Sequence, residues 1–148
     1  MRKAAWFGVV PLLCASVALA GGNQTSIIDL GGGVTLQAPI EVQQTPGDGI
    51  DSIAGSFSGD GFECRYDHGL YSSDLSDVRN ATVEQVRVAG VAARLVSATD
   101  EFDGLHVPEI AKSSRGARRL TISCQSADEA TRSIVRDILM SLQIESVE

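Results

Sequence analysis

The most chemically mixed stretch of the chain is Tyr66-Asp67-His68-Gly69-Leu70-Tyr71, which puts a carboxylate, an imidazole and two phenols within six residues. An aspartate beside a histidine has the parts of an acid–base pair. Neighbours on a strand point to opposite faces, however, so Asp67 and His68 need not meet. No serine or cysteine nucleophile stands at a spacing that ties it to them. The stretch therefore offers binding groups at the end of a strand and the start of a loop, where ligands and partners are commonly met. The same residues also fit a plain structural role, with Tyr66 in the core, Tyr71 as packing and Asp67-His68-Gly69 as a turn.

A second cluster is Lys112-Ser113-Ser114-Arg115-Gly116-Ala117-Arg118-Arg119, a basic run on an acidic chain. It reads either as a solvated hairpin loop or as a partner-binding tip in which Arg115, Arg118 and Arg119 carry the contact. Asp100, Glu101 and Asp103 offer oxygen ligands to a cation, but the spacing of a calcium-binding loop is missing and a solvated acidic turn explains them. His106, between Leu105 and Val107, should point opposite to both, to solvent or a polar face. Gly31-Gly32-Gly33 lacks the strand-to-helix step and the Gly-Lys-Ser/Thr ending of a phosphate loop. Asn23-Gln24-Thr25 and Asn80-Ala81-Thr82 match glycosylation acceptors, a triplet common by chance and irrelevant behind a bacterial-type leader. No metal site and no cofactor is expected from these patterns, and no catalytic residue is assigned.

The beginning of the chain sets the compartment. Arg2 and Lys3 precede an apolar run from Ala4 to Ala20 that ends in Ala18-Leu19-Ala20, followed by Gly21-Gly22. That order of positive charge, apolar stretch and small-x-small site is a cleavable signal peptide over residues 1–20. The run is short for a retained membrane span. Lipoprotein processing at Cys14 is disfavoured by Leu13, since a small residue is wanted there. Cleavage removes Arg2 and Lys3 and leaves 10 basic against 19 acidic residues, a net charge of −9 against −7 for the whole chain. Such a charge works against nucleic acid and anionic lipid as partners. The expected location is the periplasm or the exterior, with no membrane association after cleavage; the oligomeric state is left open. Cleavage also removes Cys14, so Cys64 and Cys124 remain to pair in an oxidising compartment.

The elements that must hold these residues read mainly as hairpins. Residues 21–26 are polar and expected to be flexible, and 27–148 to form one α+β domain. Strands over 26–30 and 34–38 flank the triple glycine. Residues 39–49 read as a loop because of Pro46-Gly47-Asp48-Gly49. Extended runs over 53–58 and 62–67 meet at Gly59-Asp60-Gly61, a tip suited to positive φ. Phe62, Cys64 and Tyr66 then share the core face. Residues 68–80 read as a loop with room for a helical turn. Runs over 83–88 and 91–98 meet at Ala89-Gly90, and 105–110 pairs with 119–125, where Leu120, Ile122 and Cys124 share a face. Ser126-Ala127-Asp128-Glu129 reads as a capping box opening a helix over 127–141. Its apolar stripe is Ala130, Ile134, Ile138 and Leu142, widened by Val135 and Leu139, with Arg132, Arg136 and Asp137 off it. Residues 142–144 have room for a short last strand. The fold class is thus α+β: an antiparallel sheet built of hairpins, a C-terminal amphipathic helix packed on it, and one disulfide.

This succession of hairpins, a hairpin with an Ala-Gly turn, a strand pair and a terminal helix ending in Ile138-Leu139-Met140-Ser141-Leu142 resembles the PsbP-like α/β sandwich family over most of 27–145, though the N-terminal helix usual in that family has no counterpart in the pattern. The resemblance implies an antiparallel sheet covered by helices and an accessory or binding role. The expectation is an exported binding or accessory protein, not an enzyme, whose partner is another extracytoplasmic protein. The alternatives are an inhibitor or immunity protein that caps an extracytoplasmic enzyme, and an enzyme of unrecognised type centred on Asp67 and His68.

Overall fold

A computed structural model describes residues 24–145. The expected leader, its cleavage site, Cys14 and Asn23 lie outside the described residues. Within them the chain forms two antiparallel sheets and one helix. The small sheet has the order β1-β2-β10, from Ser26–Asp29 (β1), Val34–Ala38 (β2) and Gln143–Ile144 (β10). The large sheet comprises β3 (Gln43–Pro46), β4 (Ser52–Gly59), β5 (Phe62–Gly69), β6 (Ala81–Val88), β7 (Val91–Ala98), β8 (Phe102–Ser113) and β9 (Gly116–Ser126). Its order is β3-β4-β5-β9-β8-β7-β6. The helix α1 spans Glu129–Met140.

The hairpins sit where turn chemistry places them. Gly61 takes φ +81° at the β4–β5 turn, and Ala89 and Gly90 take +48° and +79° at the β6–β7 turn. Two consecutive positive φ values match the right-handed twist of the flanking strands, which is why short hairpins favour them. The connection from β5 to β6 is different. It leaves the middle of the sheet and re-enters at the far edge, so residues 70–80 cross one face as a strap.

Several elements depart from the pattern reading. Residues 43–46 are not loop: they pair with β4, Gln43 opposite Ser58 and Pro46 opposite Gly55. All four are exposed on an edge, so no apolar alternation marks them, and an edge strand tolerates Pro46 because its outer side needs no donor. Ser26 belongs to β1 and not to a flexible stretch. No helical turn forms over 68–80; the strap is held by side-chain and backbone bonds instead. The basic run is mostly strand, since β8 and β9 continue until Ser113 faces Gly116, leaving Ser114-Arg115 as the turn. A register shift between Val107 and Ala111, beside Pro108, breaks the long ladder once.

The helix also starts later than the capping-box reading places it. Ser126 is the last residue of β9, where it pairs with Phe62, and its amide bonds the Glu101 carbonyl. Asp128 is the N-cap instead, its carboxylate accepting from the Thr131 amide at 2.8 Å. The buried stripe is Val135, Ile138, Leu139 and Leu142, while Ala130 is exposed. The two helical arginines reach the sheet. Arg132 Nε lies 2.8 Å and Arg136 Nε 3.1 Å from Asp103, which is fully buried on β8 rather than part of a solvated turn.

Both faces of the central strands are covered. On one, α1 and the small sheet pack against Phe57, Leu105, Leu120 and Ile122. On the other, the strap lays Leu75 over Gly104, where an added Cβ would meet the leucine Cδ1 at 2.7 Å. Cys64 and Cys124 stand directly opposite each other on β5 and β9, Cα atoms 4.1 Å apart, and form a disulfide. The bridge joins residues 60 apart in sequence across the middle of the large sheet. Among the described residues no helix is long and apolar enough to cross a membrane.

Candidate functional site

The two clusters singled out in the sequence meet at one end of the large sheet. The β5–β9 ladder sets His68 opposite Leu120 and Gly69 opposite Arg119, so the last turns of one cluster lie beside the first residues of the other. Arg118 Nη2 donates to the His68 carbonyl at 3.4 Å. Tyr71, just past the end of β5, is 85% exposed. Ile50, in the loop before β4, is fully exposed, and its neighbour Asp51 lines the same sheet end.

Between them lies a hollow of about 280 Å³ lined by Asp51, Leu70, Ser113, Ser114, Arg115 and Arg118. The β8–β9 turn that carries Arg115 is braced internally. Ser113 Oγ donates to the Gly116 carbonyl at 2.9 Å and accepts from the Arg115 amide at 3.2 Å. Among the described residues, Arg115, Arg118 and Arg119 have no carboxylate within ion-pair distance, whereas Lys112 is paired with Glu109 at 3.3 Å. The hollow thus holds two guanidiniums against one carboxylate. Ile50 and Asp51 lie outside both clusters, and Leu70, Ser113 and Ser114, though inside them, were not singled out as site residues in the sequence. No local motif marks them, because the sheet gathers them from three separate segments.

The other members of the first cluster are placed differently. Asp67 and His68 face opposite sides of β5 and do not form an acid–base pair. His68 is 2% exposed and points to the side of the small sheet, where an added Cβ on Gly32 would lie 3.0 Å from its Cε1 and where Ile53 packs. Neither ring nitrogen has a hydrogen-bond partner among the described residues, and neither has Asp67 Oδ1. Burial, and then the Arg118 charge, hold the His68 pKa below its ordinary value; the Gly31 backbone and Asp67 pull the other way without prevailing. The Tyr66 ring is core, 6.5 Å from the Phe57 ring centroid, and its hydroxyl accepts from Gln44 Nε2 at 3.4 Å. This hydroxyl reaches a wider cleft between the β1–β2 and β3–β4 hairpins, of about 610 Å³, together with Asp29, Gln44 and Ile53.

His106 does point away from Leu105 and Val107, but not to solvent. It is buried beneath the strap, Nδ1 3.2 Å from Thr121 Oγ1, whose hydroxyl donates to the Ser73 carbonyl. Burial, and then the charge of Arg94, keep its pKa below the ordinary value. Of the acidic turn, Asp100 is exposed as expected, but Asp103 is structural: its burial opposes ionisation, yet hydrogen bonds from Arg132, Ser97 and Arg136 outweigh that and lower its pKa. Among the described residues no three His, Cys, Asp or Glu side chains gather where they could hold a metal ion. Comparison with protein families, characterised proteins and solved structures finds no match for the chain.

Proposed function

We propose that this chain is an exported binding protein that docks another extracytoplasmic protein through the β5–β9 end of its large sheet. One observation carries the reading: Tyr71 is exposed next to Leu70, which lines a hollow with Arg115 and Arg118, while His68 is buried. A catalytic or small-ligand site on the first cluster would instead have His68 and Tyr71 lining one cleft. Exposed tyrosine and arginine are the residue types that dominate protein–protein contacts when desolvated. The disulfide fits an oxidising compartment, and the expected leader supplies the route to it. The likeness to PsbP-like accessory proteins points the same way at the level of an antiparallel sheet with a terminal helix, although fold alone does not assign a role.

In-cell photo-crosslinking tests the reading. A photoreactive residue at position 71 of the exported full-length chain should trap a discrete protein adduct. The same residue at position 83, exposed on β6, should not. Equal adduct patterns at both positions, or none at 71, would overturn the proposal.

A further inference from the structure

The kind of group recognised at this end follows from the charge and shape of the hollow. We infer that the hollow between Arg115, Arg118, Ser114 and Leu70 receives a single side-chain carboxylate, flanked by uncharged residues, from a segment of the docked protein, with Tyr71 and Ile50 packing on the residues around it. This rests on the docking reading and specifies its partner.

Three observations support it. First, Arg115 and Arg118 line the hollow without a carboxylate in ion-pair distance among the described residues, on a chain whose net charge is −7. Guanidinium groups bind carboxylates through planar, charge-assisted hydrogen bonds, which makes them the natural complement. Second, the Arg118 guanidinium and the Arg115 backbone are held in place before any partner arrives. Arg118 is tethered to the His68 carbonyl, and the Arg115 backbone is pinned by Ser113 Oγ. Such pre-organisation reduces the ordering cost of binding. Third, Asp51 lines the hollow together with the two arginines, so its lining carries one net positive charge. That single positive charge balances one carboxylate. It is a poor match for a dianionic phosphate or a polyanion, which the acidic body of the protein would also repel. The flanking Tyr71 and Ile50 add apolar area that a peptide segment can cover and a free ion cannot.

NMR titration of the ¹⁵N-labelled mature protein with an end-capped Ala-Leu-Glu-Leu-Ala peptide, which carries one carboxylate, tests this, with inorganic phosphate and a single-stranded oligonucleotide as parallel probes. The peptide should give saturable shifts at the amides of Ser114, Arg115, Arg118 and Tyr71, weakened by added salt. Arg118→Gln should reduce its affinity about tenfold, and Arg115→Gln similarly, each removing a charge-assisted pair. Arg87→Gln, on the far edge strand, should leave it unchanged. Because Arg118 also braces His68, the exposed Arg115 supplies the variant that keeps the fold intact. Absence of saturable shifts, equal binding by phosphate or oligonucleotide, or indifference to both arginine substitutions would each overturn the inference. The docking reading fails separately. Position-71 adducts that persist in Arg115→Gln would retain the docking surface and discard the carboxylate, whereas loss of all adducts would discard the surface itself.

Discussion

At the scale of single residues, the decisive groups are those whose burial conflicts with their chemistry. Asp103 is fully buried and offset by Arg132, whose side chain is 11% exposed, and by the half-exposed Arg136. Removing one partner of a buried pair leaves a charge that nothing compensates, which costs about 3 kcal/mol or more. Asp103→Ala should therefore destabilise the protein by about that amount in urea unfolding, and Arg136→Ala by about 1 kcal/mol or less, since its partner keeps Arg132. Equal effects of the two substitutions would refute this ranking. His68 and His106 behave differently. Both have pKa values below the ordinary 6.5 in the folded state, so the unfolded chain binds more protons as pH falls through that value. Stability is then full above it and declines below it. Asp103 adds a second decline only below the ordinary carboxylate value of 3.8. The thermal midpoint should drop between about pH 7 and about pH 5, and His68→Leu should flatten part of that slope. A midpoint indifferent to pH over that window would contradict the burial of both rings in neutral form. None of this was legible in the sequence. Asp103 looked like part of a solvated turn because Arg132 and Arg136 are about 30 residues away in the chain, and only the seating of α1 brings them together.

At the scale of elements, what was legible is what local chemistry determines. Asp60-Gly61 and Ala89-Gly90 force turns, the alternation of Phe62, Cys64 and Tyr66 sets a face, and the apolar spacing of Ile134, Ile138 and Leu142, widened by Val135 and Leu139, makes a helix, though Ala130, read into the same stripe, is exposed. What was illegible depends on neighbours. β3 has four exposed residues and exists because β4 offers it a ladder. The cap moved from Ser126 to Asp128 because β9 claims Ser126 first. Asp128→Ala should accordingly cost about 1 kcal/mol by chemical unfolding, the usual loss for an N-cap, and Ser126→Ala should not reproduce that loss through the helix. The disulfide joins β5 to β9 without any hairpin between them. Closing a loop of that length restricts the unfolded chain by about 4 kcal/mol, an upper figure if the reduced chain keeps some structure. Cys64→Ala and Cys124→Ala should behave alike and lower the thermal midpoint well beyond error. An unchanged midpoint on reduction would show that β5 and β9 hold without the bridge.

At the scale of the whole molecule, the sequence supplied two candidate clusters and no reason to join them. The ladder that sets Gly69 against Arg119 does so, and it also separates His68 from Tyr71, which sequence adjacency had grouped. If residues 1–20 are the expected leader, protein recovered outside the cytoplasm begins at Gly21, readable from its intact mass; a retained 1–20 segment or a lipid on Cys14 would contradict export by cleavage. The central claim is that one end of the large sheet is the docking surface. Among the described residues five large apolar side chains are well exposed: Ile27, Ile50, Tyr71, Val83 and Met140, of which Ile50 and Tyr71 belong to that end. The most direct measurement is in-cell photo-crosslinking from each of the five in turn. The account predicts the same protein adduct from positions 50 and 71 and its absence from 27, 83 and 140. An adduct that forms from 83 or 140 but not from 50 or 71 would place the contact elsewhere and contradict it.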